Sequence, residues 1–305
     1  MFRRLPGGAG PVYLAGDRFG DFVMNQTIFL MLGLLGLVGI GSLVSGNDDD
    51  HPPEGPADDP RLHGDALIEG DEEDNVLTGT DGDDGILGYD GDDLIDGGSG
   101  NDLIGAGYGD DTVLAGSGDD EIYLGSGDDL YGALDLGADE GSDTIDGGLG
   151  NDTIITNLGH HSITGGEGDD RIEDHGGSVY IDGEEGDDLI LSPDASDPER
   201  PDTLLGGEGN DTIHAGAGDI VDGGDGADLI MLRSDAGGAA DIAYGGADNI
   251  TITLAEDYAG DEEYELVQDG DDVRVVLNGE DIAILRDTLA RDVRAISLVR
   301  ETAAT

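Results

Sequence analysis

The chain has 305 residues, and its composition is far from that of an ordinary globular protein. Asp and Glu supply 72 residues against 12 for Lys and Arg, so the formal net charge is -60. This charge excludes nucleic acid as a partner and disfavours adsorption on anionic lipid, because both require a basic surface. It favours divalent cations, since carboxylates at this density repel one another until they are neutralised. Cysteine is absent, which excludes disulfides and thiolate metal sites.

The N-terminal part contains one long apolar run, from about Ile28 to Val44. Its length approaches the span of a bilayer, about 17 to 25 residues. Three arginines precede the run and three aspartates, Asp48 to Asp50, follow it, so the positive-inside rule predicts that the remainder of the chain is exported. Two alternatives stay open: residues 28–44 form a retained hydrophobic helix that anchors the chain in a membrane, or residues 1–46 are a cleaved signal segment. Residues 47–69 are acidic and proline-rich and are predicted to form an extended linker.

A nine-residue repeat begins near Gly70 and defines a repeat domain over residues 70–250. A clear copy is Gly97-Gly98-Ser99-Gly100-Asn101-Asp102-Leu103-Ile104-Gly105. Position six is Asp in copy after copy, and position eight is apolar. Insertions near 133–140 and 192–201 interrupt the phase. Acidic disordered sequence is the alternative interpretation, but disorder does not explain why both positions keep one phase.

The repeat predicts a parallel β-roll, an all-β fold. Glycines at positions one, two and four allow positive φ, so the first six residues are expected to form a tight loop. The last three residues are expected to form a short strand whose position eight points into the core. Two units complete a coil of 18 residues, and coils stack as parallel strands about 4.8 Å apart. Aspartates 18 residues apart then become neighbours, and together with loop carbonyls they offer the oxygen ligands that Ca²⁺ accepts.

The predicted metal ligands are the position-six aspartates, which fall into columns on the two edges of the roll. In the first block one column holds Asp84, Asp102 and Asp120, and the other holds Asp93, Asp111 and Asp129. The second block keeps one column of Asp152, Asp170 and Asp188, whereas the opposite phase reads Asp143, His161 and Val179. We therefore expect calcium on one edge only in that block. Asp211 and Asp228 complete the set, for about seven sites if the coils stack as in other solenoids. The acids at position five are expected to lie at the surface.

The C-terminal part changes character and is predicted to form a small antiparallel cap over residues 251–305. Three segments read as strands, at 263–268, 272–277 and 281–285. Asp269-Gly270 and Asn278-Gly279 lie between them and are strong two-residue hairpin signals. Residues 295–299 are expected to add a further strand. Solenoids need such a cap over their open end.

The Gly-Gly-x-Gly-x-Asp-x-apolar-x pattern of Gly97 to Gly105 resembles the hemolysin-type calcium-binding repeat of the RTX family. The resemblance covers roughly half of the chain. It implies a right-handed parallel β-roll with calcium at the loops, and secretion from a Gram-negative bacterium. It also implies type I secretion machinery that reads an uncleaved C-terminal signal. The N-terminal apolar run departs from that pattern, so the route of export stays open.

The function expected from these observations is a non-catalytic, extracellular calcium-binding protein, secreted or anchored at the cell surface. Folding should require calcium, because each coil buries few apolar side chains and crowds many carboxylates. The sequence contains no His-Glu-x-x-His zinc motif and no Gly-x-Ser-x-Gly nucleophile motif, and the six histidines are scattered. Two alternatives remain: a secreted polysaccharide-modifying or protease-like enzyme that uses the roll for secretion and folding, or an adhesin. The sequence does not identify a ligand.

Overall fold

The computed structural model describes residues 66–132, 141–193 and 201–301, which consist of β-strands and connecting turns. The strands are, in chain order, β1 (Ala66–Glu69), β2 (Val76–Thr78), β3 (Asp84–Asp90), β4 (Leu94–Ser99), β5 (Leu103–Tyr108), β6 (Thr112–Ser117), β7 (Glu121–Ser126), β8 (Leu130–Tyr131), β9 (Thr144–Leu149), β10 (Thr153–Thr156), β11 (Gly159–Glu167), β12 (Arg171–Asp174), β13 (Gly177–Glu185), β14 (Leu189–Ser192), β15 (Thr203–Glu208), β16 (Thr212–Ala215), β17 (Ile220–Asp225), β18 (Leu229–Arg233), β19 (Ala240–Ala243), β20 (Asn249–Leu254), β21 (Tyr264–Asp269), β22 (Asp272–Leu277), β23 (Glu280–Arg286) and β24 (Ser297–Arg300).

The strands form two sheets, and successive strands alternate between them. The first sheet has 13 strands in the order β1-β3-β5-β7-β9-β11-β13-β15-β17-β19-β23-β22-β21, and the second has 11 strands in the order β2-β4-β6-β8-β10-β12-β14-β16-β18-β20-β24. Every pair from β1 to β20 is parallel, so the chain winds as a parallel β-solenoid. The predicted all-β parallel solenoid is therefore confirmed.

The 18-residue coil sets the register of the sheets. Ile86 pairs with Ile104 in the first sheet, and Ile95 pairs with Val113 in the second. Across the segment 133–140 the spacing becomes 23 residues, since Ile122 pairs with Ile145. The inserted residues therefore leave the register of the coils unchanged.

The core between the two sheets is a double stack of position-eight side chains. These residues are nearly all Ile, Leu or Val, and most have no exposed surface: Ile86, Ile95, Ile104, Val113, Ile122, Ile145, Ile154, Ile163, Ile172, Ile181, Ile190, Leu204, Ile213, Val221 and Ile230. β-branched side chains suit such a stack, because they are stiff and pack well on a pleated surface. The core excludes water from the inner ends of the turns, where the position-six side chains lie.

The strands are longer than the sequence suggested. β4 runs from position seven of one unit through the two glycines of the next, so positions seven to three are extended and only positions four to six form the turn. The prediction of three-residue strands was wrong. It relied on the low β propensity of glycine, but pairing with neighbouring coils keeps these glycines within the strands. Positive φ occurs at position two and at position four, as at Gly98 and Gly100, but not at position one.

The last strands combine two kinds of pairing. β21 pairs antiparallel with β22, and β22 pairs antiparallel with β23. β23 also pairs parallel with β19, which joins these strands to the first sheet. The final strand, β24, does not join the antiparallel strands as expected, since it pairs parallel with β20 and extends the second sheet.

The N-terminal predictions, namely the apolar run 28–44 and most of the linker 47–69, lie outside the described residues. The same is true of the final residues 302–305. Within the described ranges, no helix has the length and apolarity needed to cross a bilayer.

Candidate metal site

The position-six aspartates lie at the inner ends of the turns and are almost completely buried. Asp102 and Asp170 expose 3% and 2% of their surface, and the other predicted ligands are equally inaccessible: Asp84, Asp93, Asp111, Asp120, Asp129, Asp152, Asp188, Asp211 and Asp228. Such burial is rare for aspartate, because removing a carboxylate from water is costly unless it is paired or binds a metal.

One oxygen of each of these carboxylates except Asp84 links neighbouring coils. The backbone N–H of Asp84 donates to Asp102 Oδ1 at 2.8 Å, and the N–H of Asp102 donates to Asp120 Oδ1 at 2.8 Å. On the other edge, the N–H of Asp152 donates to Asp170 Oδ1, also at 2.8 Å. These bonds show that aspartates 18 residues apart are neighbours along each edge, as the repeat predicted.

The second oxygen, Oδ2, has no hydrogen-bond partner among the described residues in nine of these side chains. They are Asp93, Asp102, Asp111, Asp129, Asp152, Asp170, Asp188, Asp211 and Asp228. An unsatisfied buried acceptor costs about 1–3 kcal/mol, and a charged one costs more. Nine such atoms, repeated in one structural position, indicate a ligand that supplies positive charge.

In six of these nine units the unpartnered oxygen lies beside a backbone carbonyl of the next coil, namely those of Asp93, Asp102, Asp152, Asp170, Asp188 and Asp211. A Cβ placed on Gly165 would lie 2.4 Å from Asp170 Oδ2 and 2.8 Å from the carbonyl oxygen of Gly183. The same construction on Gly147 gives 2.6 Å to Asp152 Oδ2 and 2.2 Å to the carbonyl oxygen of Gly165. Carboxylate and carbonyl oxygens therefore converge on one point in successive coils, next to a glycine that leaves the space open.

Burial raises the pKa of these carboxyl groups, and neighbouring carboxylates raise it further. The pKa rises to about 6 for Asp102, about 7 for Asp111 and about 8 for Asp129. It rises to about 6 for Asp152 and Asp188 and to about 7 for Asp170 and Asp211. The hydrogen bond that each Oδ1 accepts opposes this effect but does not cancel it. Near neutral pH the columns therefore favour a proton or a cation over a bare carboxylate.

The position-five side chains differ from their neighbours in both exposure and direction. They are exposed, as predicted, and their Oδ1 atoms accept hydrogen bonds from the following coil instead of the preceding one. Asp83 Oδ1 accepts from the N–H of Asn101 at 2.8 Å, and Asp169 Oδ1 accepts from the N–H of Asp187 at 2.9 Å. Position five therefore links neighbouring coils at the surface, whereas the position-six carboxylate points into the candidate metal site.

A sequence profile that describes 4 copies of the RTX calcium-binding nonapeptide repeat matches this chain in five segments. They are residues 69–104, 106–131, 138–160, 164–192 and 199–230. The chain belongs to the RTX calcium-binding repeat family. Among solved structures, the extracellular lipase LipA from Serratia marcescens is 17% identical, with a TM-score of 0.23. The match covers 75% of this chain but only 39% of the lipase, so the chain spans well under half of that protein. No curated protein sequence matches the chain.

The donor set fits the cation that binds RTX repeats. Within the described ranges, no three side chains drawn from His, Cys, Asp and Glu come close enough to hold a metal ion. A cation at the columns would therefore take one or two carboxylates and fill its remaining positions with backbone carbonyls. An all-oxygen set of flexible geometry suits Ca²⁺, whereas Mg²⁺ needs a rigid octahedron and Zn²⁺ prefers nitrogen or sulfur.

The RTX columns are longer than the sequence suggested, because they continue across the insertions. The N–H of Asp129 donates to Asp152 Oδ1 at 2.8 Å, and the N–H of Asp188 donates to Asp211 Oδ1 at 2.8 Å, each over 23 residues. In the sequence pattern the insertions divide these units into separate blocks. Four further buried acids lie at the same structural position and were not among the predicted ligands: Asp143, Asp202, Asp219 and Asp248. Each is followed two residues later by a buried apolar residue, a signal that would have found them.

His161 and Val179 occupy position six where the sequence predicted a loss of carboxylates. His161 Nδ1 lies 3.2 Å from Asp143 Oδ2, and both side chains are buried. In the same stretch, position one carries polar side chains: the Thr156 hydroxyl donates to Asp174 Oδ1 at 2.7 Å. Protein donors therefore contact the buried acids on this edge.

Asp84 and Asp120 are the two predicted ligands outside the set of nine side chains. Both oxygens of Asp84 accept hydrogen bonds from Thr80, through the N–H at 2.5 Å and the hydroxyl at 3.2 Å. Asp120 lies in the same column, and its N–H donates to Asp143 Oδ1 at 3.1 Å. Asp84 therefore differs from the nine side chains with an unpartnered Oδ2, although its sequence position is the same.

Proposed function

We propose that this chain is a non-catalytic extracellular RTX protein that folds when Ca²⁺ fills the two columns of position-six aspartates. The observation that carries the proposal is the set of nine buried Oδ2 atoms without a hydrogen-bond partner in the described residues, six of them shown beside a backbone carbonyl of the next coil. Calcium binds the folded coils and not the unfolded chain, so it stabilises the fold by mass action.

The balance of energies supports calcium-dependent folding. Each coil buries only about two large apolar side chains, whereas the backbone of all 18 residues in the coil loses conformational entropy on folding. Hydrogen bonding offsets part of this cost, whereas the raised pKa values of the columns add a penalty at neutral pH. Extracellular calcium modules bind at about 10⁻⁴ to 10⁻³ M, so the chain would stay unfolded in cytosol and fold after export.

The test is far-UV circular dichroism of the purified chain with chelator and with millimolar Ca²⁺. We expect β structure only with Ca²⁺, and a much weaker response to equal Mg²⁺. Equal β content in chelator and in calcium would contradict the proposal. Equilibrium dialysis on the same samples measures binding directly.

We propose further that the coil is right-handed and that β21, β22 and β23 cap its C-terminal end. The ion pairs around Arg286 support a cap that is held without metal. Its guanidinium bonds Asp241 of β19 and lies 3.0 Å from Asp272 of β22. Val273 and Val275 on β22 are fully buried, which supports a cap that shields the end of the core.

The extracellular location is proposed from the family, since RTX repeats are typical of secreted bacterial proteins. We propose a Gram-negative source, with residues 28–44 either retained as a membrane anchor or removed with residues 1–46. Type I secretion machinery is the proposed route where they are removed. Intact-mass measurement of the protein from culture supernatant and from membranes distinguishes the two forms.

The non-catalytic role is proposed because the sequence carries no recognised catalytic motif. An activity screen on ester, protein and alginate-like substrates tests it in the presence of calcium. Turnover that survives further purification would overturn the non-catalytic role and leave the calcium-binding role standing.

A further inference from the structure

Position two of the repeat adopts two different backbone conformations in the roll. In ten units within the described ranges it has a φ between 70° and 125°, in the left-handed region: Tyr89, Gly98, Gly107, Gly116, Gly125, Gly148, Gly166, Glu184, Gly207 and Gly224. In other units it does not, as at Asp71, Thr80 and Gly216. Thr80 and Asp71 lie four residues before position six, as the left-handed residues do, whereas the turn that ends on Asp219 is one residue shorter and Gly216 lies three residues before it.

This conformation correlates with the environment of the position-six carboxylate. In three units whose position two is not left-handed, its N–H donates to the side chain of position six. The N–H of Thr80 donates to Asp84 Oδ2 at 2.5 Å, and the N–H of Gly216 donates to Asp219 Oδ2 at 2.6 Å. In the first unit the N–H of Asp71 donates to Asn75 Oδ1 at 2.7 Å. These units satisfy the inner oxygen with the chain's own donor.

The left-handed units show the opposite arrangement. Nine of them end on the nine carboxylates whose Oδ2 has no partner in the described residues. The remaining unit, with Gly116 at position two, ends on Asp120. In those nine units the N–H of position two does not donate to Oδ2, which leaves the oxygen available to an ion.

Two of the left-handed residues are not glycine, which shows that the conformation is imposed by the fold. Tyr89 has φ 78° and Glu184 has φ 70°. A Cβ in this region is strained, and strained backbone persists where the surrounding structure demands it. Tyr89 and Glu184 lie four residues before Asp93 and Asp188. The strained backbone therefore occurs in units whose Oδ2 has no hydrogen-bond partner among the described residues.

We propose that the backbone conformation at position two decides which units hold a cation. Units with a left-handed position two each hold one ion, whereas Asp84 and Asp219 are closed by a backbone N–H and hold none. Asn75 and Asp84 then lie just before the first cation of each column, because their neighbours in the next coil are Asp93 and Asp102. This inference rests on the proposed calcium-binding function and adds the rule that sets the number and location of the ions.

The experiment counts bound calcium by native mass spectrometry of the full chain at saturating Ca²⁺. Glu184→Thr places a β-branched residue at a left-handed position, where it is strongly disfavoured. We expect one calcium fewer than in the wild type. Glu184→Gly should keep the full count, which also excludes the Glu184 carboxylate as the ligand. Glu185→Thr is the matched control, because it removes the same charge from the adjacent exposed residue and should keep every ion.

Tyr89→Thr and Tyr89→Gly repeat the comparison in the unit that ends on Asp93, near the N-terminal end of the roll. If circular dichroism shows that Glu184→Thr does not fold in calcium, this pair tests whether position two sets the calcium count. Asp84→Asn and Asp102→Asn compare a carboxylate that accepts the N–H of position two with one whose Oδ2 has no partner among the described residues. Asp84→Asn should leave the calcium count unchanged, and Asp102→Asn should lower it by one.

The outcomes separate the two proposals. If the wild-type chain binds no calcium, the proposed function fails. If it binds calcium but folded Glu184→Thr and Tyr89→Thr keep the full count, the rule at position two is wrong. A loss of one ion in Asp84→Asn would also overturn the rule.

Discussion

The substitution Asp170→Asn removes one column carboxylate while keeping its shape. The amide oxygen can still accept the N–H of Asp152, which donates to Asp170 Oδ1 at 2.8 Å. What is lost is the negative charge at Oδ2, which has no partner among the described residues. We expect the variant to lose one calcium ion and the stabilisation which that ion provides.

The magnitude follows from mass action. At 10 mM calcium, a site with a Kd of about 10⁻⁴ to 10⁻³ M stabilises the folded state by about 1.4–2.7 kcal/mol. A chain of this size has a urea m-value of about 3 kcal/mol/M, so the midpoint should fall by about 0.5–1 M. Urea unfolding in 10 mM calcium, followed by far-UV circular dichroism, measures the change.

The adjacent residue supplies the control. Asp169 is exposed at position five, and its Oδ1 accepts from the N–H of Asp187 at 2.9 Å. Asn already occupies position five at Asn101, Asn151 and Asn210, so Asp169→Asn should leave the midpoint and the calcium count nearly unchanged. If Asp170→Asn and Asp169→Asn behave alike, the assignment of the cation to position six is refuted.

Three further changes test the fold and its charges. Burial raises the pKa of Asp129 to about 8, so the cation-free fold is favoured below the unfolded pKa and loses stability as pH rises through the folded pKa. Calcium-depleted protein should therefore gain β content between pH 8 and pH 5, and a flat pH profile by circular dichroism would contradict this. Ile172→Ala empties a fully buried position-eight site and should cost about 2–5 kcal/mol in calcium, measured by urea unfolding; a loss below 1 kcal/mol would count against the packed stack. Arg286→Gln should lower the urea midpoint at low salt and less so at 1 M NaCl, whereas Arg291→Gln, on a largely exposed side chain, should have little effect in either condition.

The repeat phase alone predicted the main architecture. Asp at position six and an apolar residue at position eight, one unit after another, indicated both the core and the edge columns. The predicted coil of 18 residues is seen in the pairing of Ile86 with Ile104. Periodicity was sufficient here because each coil contacts only its neighbours, so a local pattern determines the stack.

The sequence could not show how the columns pass the insertions. A loop of several extra residues costs little closure entropy and leaves no local signal of the register on its far side. The bond from the N–H of Asp129 to Asp152 Oδ1 therefore emerged only from the structure. The parallel pairing of β24 with β20 was missed for a similar reason, since the strand pattern does not specify a distant partner.

The sequence pattern also did not show which position-six carboxylates accept the N–H of position two and which have a free Oδ2 within the described residues. Asp84 and Asp102 occupy the same position of the repeat, yet Thr80 donates to the first and no described residue donates to Oδ2 of the second. The distinction depends on one backbone torsion. Gly216 shows that the residue type does not fix that torsion, because it is a glycine outside the left-handed region.

A crystal structure grown in calcium, with anomalous difference data, tests the central claim most directly. We predict ordered peaks beside the Oδ2 atoms along both columns, including Asp102 and Asp170, each also within bonding distance of a carbonyl oxygen from the next coil. Well-ordered coils without an ion at those two aspartates would contradict the account.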